Sequence, residues 1–425
     1  MKKKCLAAVL AALLAGASLA GCTVGKTQEV AELEPEVIKE SEEPEHRTVT
    51  LRVWSEEANF DLLTKMIESF QEEYAGQAEF DIQLEASSDA STKDDFLADV
   101  HNGPDVFPFA DDQLSAMVAA GAIAPVDNAE EVRAANLEDA AAAASVNGVL
   151  YGYPMTADNG YFMYYDKNYF TQEDVKTLDG MLAVAEAAEK QITMDWSSGW
   201  YLYSFFGNTG MEFGVNEDGV TNYCSWNTTE GAVKGTDIAQ AMLSIAASPS
   251  FKNCGDEEFL AGVRNGSVIA GVSGAWNAVE IKNAWGADYG AVKLPSYTCA
   301  GQQIQMASFK GYKMMGVNEY SKEKEWAFRL ADWFTNEENQ TLRFVERNQG
   351  PSNIKAAASD AVHEVPAIQA VIAQAEFGRL QRVGNSYWDA CSSFGQIMAG
   401  HNPNQTDLQE LMDTLVKGIT ASVVQ

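Results

Sequence analysis

Apolar and polar positions alternate along Thr48-Val-Thr-Leu-Arg-Val-Trp54, the period of a half-buried strand. Residues 60–74 repeat every three or four positions instead: Phe60, Leu63, Ile67 and Phe70 fall on one helical face, and Gly76 closes it. Residues 80–84 predict a second strand and 93–101 a short helix, broken by Asn102-Gly-Pro104. Asp105-Val-Phe-Pro-Phe109 predicts a third strand, and 111–120 a helix that Gly121 ends. This alternation of strands and helices argues for an α/β lobe with a largely parallel sheet. Ligands of such sheets bind beyond the carboxyl ends of the strands, where Trp54 and Phe109 stand.

The pattern changes after Asn147-Gly-Val-Leu-Tyr-Gly-Tyr-Pro154. A strand-like stretch at 160–165 leads into Ala-rich helical patterns at 178–190 and 236–248. Between them, Asn216-Glu-Asp-Gly219 is a turn signal flanked by apolar runs and predicts a hairpin. Strand patterns return at 267–272 and 311–317, amphipathic helices at 323–335 and 338–347, and further helices at 388–399 and 408–420. Residues 48–425 number 378, more than one hydrophobic core organises, so two lobes are expected.

The first residues bear on location. Lys2, Lys3 and Lys4 precede the apolar run 5–14, which is shorter than the roughly 20 residues a spanning helix needs, so 1–21 reads as a signal peptide. Leu19-Ala-Gly-Cys22 resembles the bacterial lipobox. That resemblance implies cleavage before Cys22, a lipid on its sulfur with acyl chains such as palmitate, and attachment to the outer face of the cell membrane. A thiol suits this chemistry as the good nucleophile available, and each buried CH₂ of an acyl chain contributes about 0.8 kcal/mol. Residues 22–47, with eight glutamates, Pro35 and Pro44, hold too little apolar surface to offset chain entropy and read as an acidic, disordered tether.

Charge and motifs then exclude functions. The formal charge of −32 becomes −35 once the three leading lysines are removed, which disfavours nucleic acid and anionic lipid and favours neutral or cationic ligands. Cys224, Cys254, Cys299 and Cys391 show no CxxC spacing; in an oxidising compartment one bridge is open to them, with no pairing indicated. His46, His101, His363 and His401 are scattered and form no zinc motif, so neither metal nor cofactor is expected. Gly271-Val-Ser-Gly274 lacks the spacing of a nucleophile elbow, and Gly231-Ala-Val-Lys-Gly-Thr236 has the wrong order for a phosphate loop. No enzyme is expected; the catalytic alternative is Asp112 with Asp158 as a glycosidase acid and base.

Five local phrases in order now resemble the extracellular solute-binding proteins of the maltose/maltodextrin-binding type, which serve ABC sugar importers. They are Gly103-Pro-Asp-Val-Phe107, Asn147-Gly-Val-Leu-Tyr-Gly-Tyr-Pro154, Tyr164-Tyr-Asp-Lys-Asn-Tyr-Phe170, Phe259-Leu-Ala-Gly-Val-Arg-Asn-Gly266 and Ser273-Gly-Ala-Trp276. The resemblance runs from about Leu51 to Ile419. It implies a two-lobe, periplasmic-binding-protein-like α/β fold with a hinged cleft. The first lobe takes 48–156 plus 305–350, the second 157–304 plus 351–425, and the protein acts as a monomer that delivers its ligand to permease subunits.

A saccharide offers hydroxyls, which suit carboxylates and amides, and ring faces of C–H, which suit aromatic rings. The resemblance puts ligand contacts on Trp54, Phe109, Asp112, Asp158, Trp200, Tyr203, Trp276 and Trp388. Where maltose binders commonly show His-Asp-Arg, this chain has Asp111-Asp112-Gln113, which removes a charged donor; the loop 85–92 does not match the family's ligand loop. Both departures argue against maltose itself. Aromatics over both lobes imply successive ring subsites, hence an oligosaccharide of α-glucan type. The alternatives are a polyamine, cation or peptide in the same fold, or a sensor that reports to a receptor.

Overall fold

In the strand Thr48–Ser55, Val49, Leu51, Val53 and Ser55 are buried while Thr48 and Thr50 face solvent, as alternation requires. The helix Phe60–Glu73 turns Leu63, Ile67 and Phe70, with Leu62 and Met66, onto that buried face. The structure, a computed structural model, describes residues 47–216 and 220–422. The signal peptide at 1–21, Cys22, the tether up to residue 46 and the turn at 217–219 lie outside the described residues.

Thr48–Ser55 pairs in parallel with Glu79–Ala86 on one side and Val106–Ala110 on the other. Parallel order ends there. The next strand, Ser308–Val317, runs antiparallel to Val106–Ala110, and Tyr153–Asp166 runs antiparallel to Ser308–Val317. The largely parallel sheet expected of the opening α/β segment is thus limited there to three strands, and among the described residues parallel strand pairs recur only at the far edge and between Ser308–Val317 and Gly378–Leu380. The cause is that Ser308–Val317 arrives from 200 residues downstream instead of through a local strand-helix-strand crossover, and local patterning carries no trace of that. Beyond it, Val268–Gly274 and Tyr289–Val292 flank Tyr153–Asp166 antiparallel, and Gln191–Thr193 and Phe251–Lys252 complete the far edge.

Two large cores lie along this sheet, with a smaller one around Phe162, Tyr164 and Phe259. One gathers Val49 through Met155 with Met314, Met315, Val317 and the helix Lys324–Thr335. The other gathers Tyr161 through Phe309 with the C-terminal helices Ser386–Ala399 and Leu408–Ile419. Tyr153–Asp166 crosses between them, with Tyr153 and Met155 in the first core and Tyr161, Met163 and Tyr165 in the second. Ser308–Val317 crosses likewise, from Phe309 in the second to Met314 in the first.

Smaller differences are local. The stretch 111–120 is a 3-10 turn at Asp111–Gln113 followed by the helix Leu114–Ala119, and the helix at 93–101 is Thr92–Ala98. Phe213–Val215 and Asn222–Cys224 pair antiparallel on either side of the expected turn. The four cysteines among the described residues are free thiols. Burial pushes Cys254 and Cys299 up to about 11 and Cys224 up to about 12, so each stays protonated and unreactive at neutral pH.

Candidate functional site

Trp200 and Tyr203 stand three residues apart on the helix Gly199–Phe206 and so share a face. Phe309 of the crossing strand packs against both: its ring lies 4.5 Å from Tyr203 at 18° and 5.5 Å from Trp200 at 26°. Trp388, third in the helix Ser386–Ala399, adds a ring 6.0 Å from Phe309. Gly199 permits this approach, since a Cβ there would stand 3.1 Å from the Trp388 carbonyl oxygen. Three of the predicted aromatics therefore gather on one ring. Phe309 and Tyr203 are buried, while Trp200 and Trp388 keep part of their surface open. A cavity of about 340 Å³ adjoins Tyr203, walled by Met211, Phe213, Tyr223, Trp226 and Arg379. Of its rings only Tyr223 is exposed, so it offers little aromatic face.

Trp276 stands apart at the end of the strand Val268–Gly274. Its ring lies across Gly274, where a Cβ would come within 1.9 Å of Cζ3, and its Nε1 donates to Asp256 Oδ2 at 2.7 Å. Trp54 is half-buried and donates its Nε1 to Glu85 Oε2 at 3.0 Å, directly across the strand pair. Among the described residues no hydrogen bond or ring contact joins either tryptophan to the Phe309 cluster.

The polar residues come from both ends of the chain: Asp89, Asp111 and Asp112 early, Lys313 and Gln381 late. Asp111 is buried, and its Oδ1 accepts the Tyr312 N–H at 3.0 Å and Gln381 Nε2 at 3.1 Å. The same Gln381 amide donates to Asp112 Oδ1 at 2.8 Å. One residue along the crossing strand, Lys313 Nζ donates to Asp89 Oδ2 at 2.7 Å. Phe309, Tyr312 and Lys313 lie within five residues of one strand, so the backbone positions that carry the two groups span about 13 Å.

Two of the predicted contacts are buried in this structure. Phe109 has no exposed surface: it packs 5.9 Å from Phe107 and against Gly316 in the first core, because both faces of this strand are covered. Asp158 is 6% exposed, and its carboxylate accepts the N–H of Gly350. It ties the crossing segment to the chain after the Glu337–Arg347 helix and does not face solvent.

Comparisons with known proteins bear on the family and the fold. Residues 65–370 match the model of the bacterial extracellular solute-binding proteins. The chain belongs to that family. A galactooligosaccharide-binding protein of Bacillus subtilis (strain 168) is 28% identical over 285 residues, 65% of this chain and 66% of that protein, just under two thirds of its length. A structure solved with acarbose is 27% identical and superposes with a TM-score of 0.79 over 88% of this chain and 99% of that one. A maltose/maltodextrin-binding domain from Bdellovibrio bacteriovorus bound to maltotriose shares the fold, at 19% identity and a TM-score of 0.74 over 87% of this chain and 98% of that one. These relatives are binding proteins, not enzymes, and the family is extracellular, so this solute-binding protein is exported.

In this solute-binding protein the first-lobe side carries shifted carboxyls. Burial pushes Asp111 up to about 6; burial, and then the neighbouring Asp111, push Asp112 up to about 7. Burial opposes the charge of Lys313, yet Asp89, Glu56 and Asp158 outweigh it and hold the ammonium above its usual value. Gln381, Lys313, Asp89, Phe309, Glu85 and Asp256 had not been singled out from sequence. Lys313 alone left a signal, as a charge inside the strand run Tyr312-Lys-Met-Met-Gly-Val317. The others act through partners remote along the chain.

Proposed function

We propose that this protein captures an oligosaccharide between its lobes and delivers it to the transmembrane subunits of an ABC importer, held at the outer face of the membrane by a lipid on Cys22. The observation that carries the reading is the crossing strand Ser308–Val317, which sets the Phe309-centred aromatic cluster beside the Asp111, Asp112 and Gln381 hydrogen-bonding cluster. Ring faces suit the first and hydroxyls the second. The ligand contacts in this reading are Trp200, Trp388, Trp276 and Asp112, with Tyr203 behind Trp200 and Trp54 at the rim. The names of the relatives, which bind galactooligosaccharide or were solved with acarbose, support a saccharide. The moving bodies are 48–156 with 305–350 and 157–304 with 351–425, closing about the crossing strands.

A thermal-shift screen of mono- and oligosaccharides tests it. A sugar at a hundredfold excess over Kd stabilises the native state by about 2.7 kcal/mol. Stabilisation by a polyamine, and by no sugar, would replace the reading with a cation binder. For the anchor, Cys22→Ala is expected to leave sugar binding intact and to move the protein from the detergent phase to the aqueous phase. Unchanged partitioning would remove the lipid from the account.

A further inference from the structure

Tryptophan has one polar atom, the indole N–H, and a buried or half-buried indole finds it a partner. In a saccharide cleft that N–H can go to the ligand or to the protein. Trp276 gives it to the protein. Its Nε1 donates to Asp256 Oδ2 at 2.7 Å, a charge-assisted bond. The other oxygen, Oδ1, accepts the Ser273 hydroxyl at 2.9 Å, and Ser273 Oγ in turn accepts Asn277 Nδ2 at 2.9 Å. Asp256 opens the helix Asp256–Asn265, while Ser273 and Asn277 flank the tryptophan, so the chain of bonds reaches from a separate element to the ring. Beneath, Gly274 leaves room for the ring to lie flat on the backbone. Trp54 repeats the arrangement in the other lobe: Glu85 accepts its indole N–H, and Arg52 grips Glu85 through Nε and Nη2, each at 2.8 Å.

We propose that Asp256 is a positioning residue that fixes Trp276 before ligand arrives, so that this tryptophan offers the sugar a ring face and no hydrogen-bond donor. The inference rests on the saccharide reading above. A ring already oriented loses no rotamer freedom on binding, and a carboxylate that holds the N–H prevents the indole from turning edge-on to donate. Selectivity at this position therefore follows the shape of a sugar face and not the orientation of one hydroxyl. The same logic assigns Glu85 to Trp54.

The test uses the full mature chain with maltotetraose and, in parallel, a β-1,4-linked galactotetraose. Titration calorimetry gives Kd, and a ¹H–¹⁵N spectrum gives the indole N–H signals, with that of Trp276 assigned by its loss in Trp276→Phe. Asp256→Ala is expected to weaken the bound sugar about tenfold and to shift the Trp276 indole signal. Asp256→Asn, whose amide oxygen still accepts, is expected to stay within about twofold of the wild type. Sugar added to the wild type should leave the Trp276 N–H slowly exchanging and bonded to carboxylate. A residue needed only for folding would lower the melting temperature in both variants and leave Kd of the folded fraction alone. If the wild type binds and Asp256→Ala binds as well, or if sugar takes over the Trp276 N–H, the positioning role is wrong while the saccharide reading stands. If the wild type binds neither tetrasaccharide at any accessible concentration, both fall together.

Discussion

Around Phe309 gather Trp200, Tyr203 and Trp388, and around Tyr312 gather Asp111 and Asp112, joined by Gln381 from the later part of the chain. The first group offers area, the second direction. Stacking depends on apolar surface removed from water and tolerates small rotations. A hydrogen bond to a carboxylate fails within a few tenths of an ångström. A ligand that satisfies only one group gains nothing from bringing the lobes together, because closure requires contacts that differ between the open and closed forms. The contrast teaches that, on the saccharide reading, affinity comes mainly from the aromatic group and discrimination mainly from the carboxylate group.

The strongest way to break this contrast is Phe309→Ala. Its ring is fully buried between Tyr203 and Trp200, so truncation should cost about 3–5 kcal/mol of stability, as large aromatic deletions in cores do. Denaturant unfolding measures it; a loss under 1 kcal/mol would mean that the aromatic group is not organised by this ring.

Next comes Trp276→Ala, with an expected loss of about 2–3 kcal/mol of sugar binding, or roughly 30–150-fold in Kd. Trp276→Phe should lose clearly less. Because Trp276 is only half-buried, melting should change little. A large drop in melting with normal affinity would turn Trp276 into a core residue and move the area side of the contrast elsewhere.

A smaller effect sharpens the polar side. Asp111 and Asp112 titrate at about 6 and about 7 in the folded protein, above the roughly 3.9 of an unfolded aspartate. Between those limits the folded state holds protons that the unfolded chain has released. These groups therefore favour folding most at acid pH, and the contribution is lost as pH rises through 6 and 7. The half-exposed Asp112 is partly screened by solvent, which keeps the effect modest. Comparing the melting temperature of Asp112→Asn with the wild type from pH 4.5 to 8 should show the variant falling less steeply between pH 4.5 and about 7, with the two curves parallel above that. Parallel curves over the whole range would mean that Asp112 is an ordinary solvated carboxylate.

Much of the architecture was legible in local patterns. The periods of Thr48–Ser55 and Phe60–Glu73 fixed both elements to within a residue or two, and Gly121 ended its helix as expected. The direction of Ser308–Val317 was not legible, because its partners lie 150 to 200 residues away. Phe109 misled for a physical reason: Val106-Phe-Pro-Phe109 is buried on both faces, so strand period no longer tells cleft from core. Asp158 was named for its place just past Pro154 in the crossing segment; its bond to Gly350, 192 positions away, left no local trace. Trp200, Trp276 and Trp388 were expected from the family resemblance, whereas Glu85 and Asp256, which accept indole N–H groups, stood out in no phrase.

The place of Ser308–Val317 also has a consequence for biogenesis. It is inserted between Val106–Ala110 and Tyr153–Asp166, and Phe107 finds its strand partner in Gly316. The N-terminal two thirds of the chain, as it leaves the ribosome, therefore cannot seal its own first core. Contacts this distant along the chain form slowly, and here one partner does not exist until more than 300 residues have been made. A lobe whose sheet closes only when Ser308–Val317 arrives stays open at one edge until about three quarters of the chain is present.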